Sequence, residues 1–289
     1  MIFLFQWPFL AIFAVKNKTM LRFISFGSGS CGNCYYLYTE DYGLLIDLGV
    51  GIRKLKKYFQ DYGLSLADIK SVLVTHDHAD HVKAVGSLCN PFNIPAYATA
   101  EVHEGIRRNY VVRKKIESEN IRTINKNEPF TLGNMTITAF SVPHDSLDNV
   151  GYCIEHEGMT FCLITDAGHV TDEMADFIGK ADYLVIEANH DELMLKQGPY
   201  PAHLKGRVAG PRGHLSNNQC ALSIINHADE KLRHVWLCHL SQENNHPELA
   251  RKTVEQALLN ADRFDGSKVK LDVLRRNMPS GVFTLGNKD

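Results

Sequence analysis

Hydrophobic residues along this chain fall mostly into short runs, each stopped by glycine, asparagine or aspartate, which is how strands are punctuated. Early runs cover Leu21 to Phe26, Tyr35 to Tyr38 and Gly43-Leu44-Leu45-Ile46-Asp47-Leu48-Gly49, followed by Ser71 to Val74 and Ile94 to Tyr97. Later strands are expected at Phe130 to Val142, Gly151 to Glu155, Thr160 to Thr165, Tyr183 to Glu187 and Val235 to Cys238. A longer period marks the helices. From Ile52 to Tyr62 the apolar positions 52, 55, 58 and 59 are separated by Arg53, Lys54, Lys56 and Lys57, the spacing of an amphipathic helix. Helices are likewise expected over Val82 to Leu88, Glu101 to Glu119, 171 to 179, 217 to 227 and 247 to 260. Antiparallel runs of strands with helices laid outside them favour two packed sheets covered by helices, a four-layer αββα sandwich of the α/β (α+β) class, over a doubly wound parallel sheet. With no long linker and no low-complexity segment, residues 20 to 289 read as one domain.

Composition narrows the picture only in places. A chain of 289 residues buries a substantial core without disulfides or structural metals. Its formal charge of −2 gives no global nucleic-acid signature, which leaves room for a local basic groove. The best such hint is Arg107, Arg108, Arg113, Lys114 and Lys115, although charge runs of this kind more often form solvated faces. Seven cysteines, an odd number set mostly in apolar runs, read as reduced, buried thiols of a cytoplasmic protein. Cys31-Gly32-Asn33-Cys34 has redox or zinc spacing but no second pair, and reads as a glycine-rich turn. Residues 1–19 are a different matter, because Ile2 to Val15 is apolar while Lys16 and Lys18 follow rather than precede it. The stretch has no signal-peptide pattern, and Gln6 and Pro8 interrupt a run already short for a membrane span. It is expected to be an extension arising from a misplaced start before Met20, with a membrane tether as the alternative and no stable membrane association expected.

Chemistry concentrates in Thr75-His76-Asp77-His78-Ala79-Asp80-His81, which directly follows the apolar run ending at Val74. Imidazole nitrogens and carboxylate oxygens here suit zinc or manganese, and iron as well, with no thiolate needed. If the chain passes from strand to helix near Asp80, His76 and His78 can face one point while Asp80 and His81 face a neighbouring one. Two divalent ions would then lie roughly 3.5–4 Å apart. Three further candidates each follow an apolar strand: His144 after Ala139 to Pro143, Asp166 after Phe161 to Thr165, and His239 after Val235 to Cys238. One such residue is ordinary. Ligand-type residues recurring at strand ends are what a site along one sheet edge would produce.

His76-x-His78-x-Asp80-His81 with the later His144, Asp166 and His239 resembles the metallo-β-lactamase-fold hydrolases, and the resemblance covers nearly the whole chain from Met20. It implies the αββα metallo-β-lactamase sandwich, with His76, His78 and His144 on one ion, Asp80, His81 and His239 on the other, Asp166 bridging, and Asp47 supporting them from behind. A narrower likeness rests on Phe26 to Asn33, Glu187-Ala188-Asn189-His190-Asp191, the segment from Gly198 to Arg207, and Gly213-His214-Leu215-Ser216-Asn217. These are similar to the bacterial YycJ/WalJ/VicX-type proteins, which implies a DNA exonuclease using a hydroxide activated by two metals. Cys31 departs from that pattern, where a small Ser-like residue is usual. Likeness to RNase Z-type nucleases further implies that His214 helps protonate the leaving oxygen or steadies the transition state, set against a plain capping or turn-packing role. Lys205, Arg207 and Arg212, in a loop of prolines and glycines from Gln197 to Gly213, are candidate phosphate contacts, as are Ser28, Ser30 and Asn33 in the early glycine-rich turn. The competing readings are RNA as substrate, a thioester or small phosphodiester hydrolase, and a regulator that keeps the fold without turnover; no oligomeric state is implied.

Overall fold

The protein is described here from a computed structural model covering residues 19–286. The extension expected over residues 1–19 therefore lies outside the described residues except for Thr19, whose backbone and hydroxyl both donate to Glu157 Oε1, at 3.1 and 2.8 Å. Strands β1 (Leu21–Gly27), β2 (Cys34–Tyr38), β3 (Gly43–Ile46), β4 (Ile69–Leu73), β5 (Ala96–Ala98) and β6 (Ile121–Thr123) lie side by side in that order. Strands β7 (Phe130–Leu132), β8 (Met135–Ser141), β9 (Val150–His156), β10 (Met159–Ile164), β11 (Tyr183–Glu187), β12 (His234–Cys238) and β13 (Lys270–Val273) make the second sheet, and β14 (Phe283–Leu285) returns to pair with β1.

Alternation along the strands builds the layers. Phe23, Tyr35, Leu37, Leu44 and Ile46 of the first sheet meet Ile137, Tyr152, Phe161, Val185 and Trp236 of the second in one buried cluster between the sheets. Their neighbours face outward, with Ile24, Tyr36, Leu45 and Val72 against the helices α1 (Ile52–Asp61), α3 (Val85–Phe92) and α4 (Ala100–Arg108). On the other side Cys162, Ile164, Leu184, Ile186 and Leu237 pack under α5 (Asp172–Gly179), α8 (Asn217–His227) and α9 (Pro247–Leu259). Three apolar clusters between four layers make the expected αββα sandwich.

The sheets are mixed, however, and the expectation of antiparallel runs is corrected. β1 to β3 pair antiparallel while β3 to β6 pair parallel, and β7 to β10 pair antiparallel while β10 to β13 pair parallel. Parallel pairs need crossover connections, and α1, α3, α4, α5, α8 and α9 supply them. The helix expected over Val82 to Leu88 is broken into α2 (Ala79–Val82) and α3, because Leu48 N donates to His81 O and Ala84 N donates to Leu48 O, diverting two helical bonds to the loop after β3. The helix over Glu101 to Glu119 stops at Arg108. There Asn109 turns away to donate from Nδ2 to Asp77 O (2.7 Å), and its Oδ1 accepts Val111 N (3.0 Å). The strand over Phe130 to Val142 is a hairpin, turned at Gly133 with φ +59°. All seven cysteines are free thiols, so Cys31 and Cys34 form no disulfide. Among the described residues no helix is long and apolar enough to cross a membrane.

Candidate metal centre

Strand direction gathers the site. β8 and β10 are both antiparallel to β9, and β11 and β12 are parallel to β10, so these four strands end at the same edge of their sheet. His144, Asp166, Glu187 and His239 lie at or just past those four ends. In the facing sheet, β3 and β4 likewise run together and are followed by Asp47 and by the segment Thr75 to His81. Asp47, Asp166 and His239 follow β3, β10 and β12 in the left-handed region, at φ 60°, 54° and 52°. A non-glycine residue there costs about 1–2 kcal/mol. Three such residues, each turning the chain as it leaves a strand, concentrate backbone strain where the ligand-type side chains meet. Close approach adds a constraint at Gly49, where a Cβ would lie 1.5 Å from Asp80 O, so only glycine lets α2 sit against this loop.

Among the described residues, ligand-type side chains converge in four overlapping sets, two of which are the threes that the family resemblance implies. His76, His78 and His144 form one, and Asp80, His81 and His239 the other, with the donor atoms of each group within 4.8 Å of one another. Each group draws two members from the first sheet and one from the second. Asp166 lies between them, with Oδ2 3.2 Å from His81 Nε2 and Oδ1 3.3 Å from His239 Nδ1 and 3.7 Å from His144 Nε2. Buried imidazoles that ligate metals are normally held at their other nitrogen by an acceptor. That arrangement recurs here: His81 Nδ1 is 2.7 Å from Asp47 Oδ2, His144 Nδ1 3.0 Å from Gly213 O, and His239 Nδ1 2.9 Å from Glu187 Oε1. His76 Nδ1 is 3.0 Å from Thr75 Oγ1, and its Nε2 is buried with no hydrogen-bond partner. An orphaned buried nitrogen is costly unless something binds it, and a divalent cation fits this donor set.

Electrostatics point the same way. Burial alone would push the His81 imidazole down, but the carboxylates of Asp47, Asp166 and Asp80 outweigh it and lift its pKa to about 10. His239 and His214 are raised through the same contest, burial being overcome chiefly by Asp166 for His239 and by Glu187 for His214. Burial prevails at His76 and His144, which are lowered. Burial would raise Glu187, yet His214 and His239 draw it to about 2. A proton on His81 at neutral pH must leave before that imidazole can ligate, so metal binding is expected to release at least about one proton and to weaken as pH falls. Calorimetric titration with zinc in buffers of differing ionisation enthalpy measures this; identical heats in every buffer would contradict it.

A cleft of about 320 Å³ opens over the centre and is lined by His78, Asp80, His144, Asp166, His214 and His239 together with Ser30, Arg207 and Asp145. Its roof is α7 (Ala202–Val208), a short helix within the segment read as a loop; α6 (Glu192–Gln197) precedes it. The candidate phosphate contacts divide. Ser30 and Arg207 reach the cleft, with Arg207 Nε 2.5 Å from Asp145 Oδ2. Lys205 and Arg212 are not among its lining residues: Lys205 Nζ donates to Lys196 O (2.8 Å) and Arg212 Nε to His144 O (2.9 Å), which anchors the His144 loop. Ser28 and Asn33 are buried. The Ser28 hydroxyl accepts from His239 N (2.9 Å), and Asn33 Oδ1 accepts from Gly29 N (2.7 Å). His214 is 21 % exposed, with Nδ1 2.8 Å from Glu187 Oε1.

Two residues of this centre carry roles that no sequence motif had assigned to them. Glu187 is fully buried and holds His239, His214 and, through Oε2, the backbone N–H groups of Ala167 and Leu215. It ends the apolar run Leu184 to Ile186, the same signal that marked Asp166 and His239. Asp145 lies beside His144, 3.3 Å from its Nε2 and 3.8 Å from His78 Nε2. Only its adjacency to His144 could have flagged it.

Residues 42–239 match the family described as "Beta-lactamase superfamily domain". The exodeoxyribonuclease YycJ of Bacillus anthracis is 33 % identical over 238 residues, spanning 82 % of this chain and 89 % of that protein. The exodeoxyribonuclease WalJ of Streptococcus pneumoniae is 33 % identical over 244 residues, 84 % and 90 % of the two chains. The crystal structure of the metallo-β-lactamase-fold protein YhfI from Bacillus subtilis superimposes with a TM-score of 0.67 at 18 % identity, covering 92 % of this chain and all of that one. With its fold, its paired His and Asp groups and these matches in agreement, the chain belongs to the metallo-β-lactamase superfamily, in the branch that contains YycJ and WalJ.

Proposed function

We propose that this chain is a metal-dependent exonuclease that hydrolyses DNA phosphodiester bonds with two divalent cations. The observation that carries the reading is the pair of three-residue groups around one carboxylate, Asp166, in a chain 33 % identical to two exodeoxyribonucleases. His76, His78 and His144 would hold one ion and Asp80, His81 and His239 the other, with Asp166 serving both. Zinc and manganese suit these N/O donors, and iron does too. Bound there, the ions would supply Lewis acidity toward the phosphoryl group and a nucleophile usable at neutral pH.

The protein's own groups do the positioning. Asp80 and Asp166 orient the attacking oxygen, while Arg207 and Ser30 at the cleft meet the phosphate. Asp145 fixes the Arg207 guanidinium in place, so its fork is presented in one orientation. Glu187 takes His214 Nδ1 and keeps that imidazole raised in pKa. The proton for the departing sugar oxygen would then come from His214 Nε2. End-labelled single- and double-stranded DNA, RNA of the same sequence and a thioester, each incubated with Mn²⁺ or Zn²⁺ and again after chelation, test the reading. Metal-dependent release of nucleotides from DNA ends is expected. Thioester turnover without any nucleic-acid cleavage would replace it with a small-molecule hydrolase.

A further inference from the structure

The cleft at the metal centre continues past His78. On the other side of that imidazole, which borders both spaces, lies a more open hollow of about 340 Å³ lined by Asp77, Arg108, Tyr110, Val111 and Leu147. Tyr110 is 93 % exposed, Leu147 53 % and Val111 39 %. Single exposed apolar residues need no explanation, but an aromatic ring and two aliphatic side chains grouped at the mouth of a candidate active site form a contiguous surface.

The base beneath that surface is rigid and tied to the metal segment. Asn109 donates to Asp77 O at 2.7 Å, and Lys115 Nζ donates to the carbonyls of Ile106 and Asn109, closing the loop onto the end of α4. A Cβ on Gly105 would lie 2.4 Å from the Asp77 side chain, so α4 is pressed directly against the stretch that carries His76 to His81. Leu147 N in turn donates to Asp77 Oδ1 at 3.4 Å. Charge follows the same edge. Arg107 and Arg108 share the one Glu104 carboxylate, which leaves an excess positive charge, and Arg113 and Lys114 are exposed a few residues on.

We propose that Tyr110, flanked by Leu147, is a stacking platform for an unpaired base of single-stranded DNA, seating the nucleotide next to the one whose phosphate lies at the metal centre. The inference rests on the nuclease reading above. A base inside a duplex has both faces covered by its neighbours, so away from a duplex end an exposed ring stacks on a base that has left the stack. Aromatic stacking beside a basic edge is how single strands are held without sequence preference. Arg108 at the same hollow meets the backbone phosphate of that nucleotide.

The test uses the full chain, because Tyr110 is too exposed for its removal to disturb the core. Tyr110→Ala should raise KM for a single-stranded oligonucleotide roughly 5- to 100-fold, the loss of one base–aromatic stack, with kcat little changed. Tyr110→Trp should restore it, and the metal content of the purified variant should be unaffected. A second readout needs no turnover. In an Asp80→Ala background, a strand bearing 5-iododeoxyuridine should photocross-link to Tyr110, as mapped by peptide mass. A wild-type KM in Tyr110→Ala, or an adduct mapping away from Tyr110 and Leu147, overturns the platform while leaving the nuclease. A wild-type protein that cuts no DNA overturns the nuclease reading and the platform with it.

Discussion

Asp166→Asn should lower DNA cleavage by at least roughly 10³-fold and reduce bound metal, while the protein stays folded. The Asp166 carboxylate reaches members of both three-residue groups, at 3.2 Å from His81, 3.3 Å from His239 and 3.7 Å from His144. Its carboxylate lies well below the usual range, burial being outweighed by His239 and His81, so it presents full negative charge at neutral pH. Asparagine keeps the shape and tolerates φ 54° but loses that charge. Metal analysis, cleavage rate and thermal unfolding together read the outcome. Wild-type rate at wild-type metal content would rule out a shared carboxylate.

Asp47→Ala should cost on the order of 3 kcal/mol of stability and weaken metal binding roughly 10- to 100-fold, although Asp47 belongs to neither three-residue group. It is completely buried, and its two oxygens accept from Thr75 N (2.8 Å), Thr75 Oγ1 (2.9 Å) and His81 Nδ1 (2.7 Å). Alanine strands those partners in a dry interior and frees the His81 ring to turn. It also leaves a non-glycine residue at φ 60° without the local polar contacts that offset it. Urea denaturation and a competitive zinc titration measure the two effects separately. Unchanged zinc affinity in a destabilised variant would reduce Asp47 to a structural role.

The metal-type residues were legible in the sequence for a physical reason. Strands buried on both faces read as unbroken apolar runs, so a His or Asp at the end of one stands out, and the fold brings those ends to one edge. Asp166 and His239 stand at such ends, and Glu187, named in sequence only as part of a longer motif, meets the same criterion. Strand orientation was less legible, because a buried run looks alike in parallel and antiparallel pairs. The break between α2 and α3 was invisible for another reason: it depends on Leu48, more than thirty positions away, capturing the bonds of His81 and Ala84. Among the candidate phosphate contacts, sequence could report charge and loop context but not direction. Arg207 turns to the cleft while Arg212, five residues on, clamps the His144 carbonyl.

Each three-residue group takes its members from both sheets, so neither half of the chain contains a complete one. A cut in the connection from β6 to β7 would give one fragment with His76, His78, Asp80 and His81 and another with His144, Asp166 and His239. Ions held by these groups would make metal occupancy and sheet-to-sheet docking one cooperative event, each a rivet whose binding energy would add to the cohesion of the sandwich.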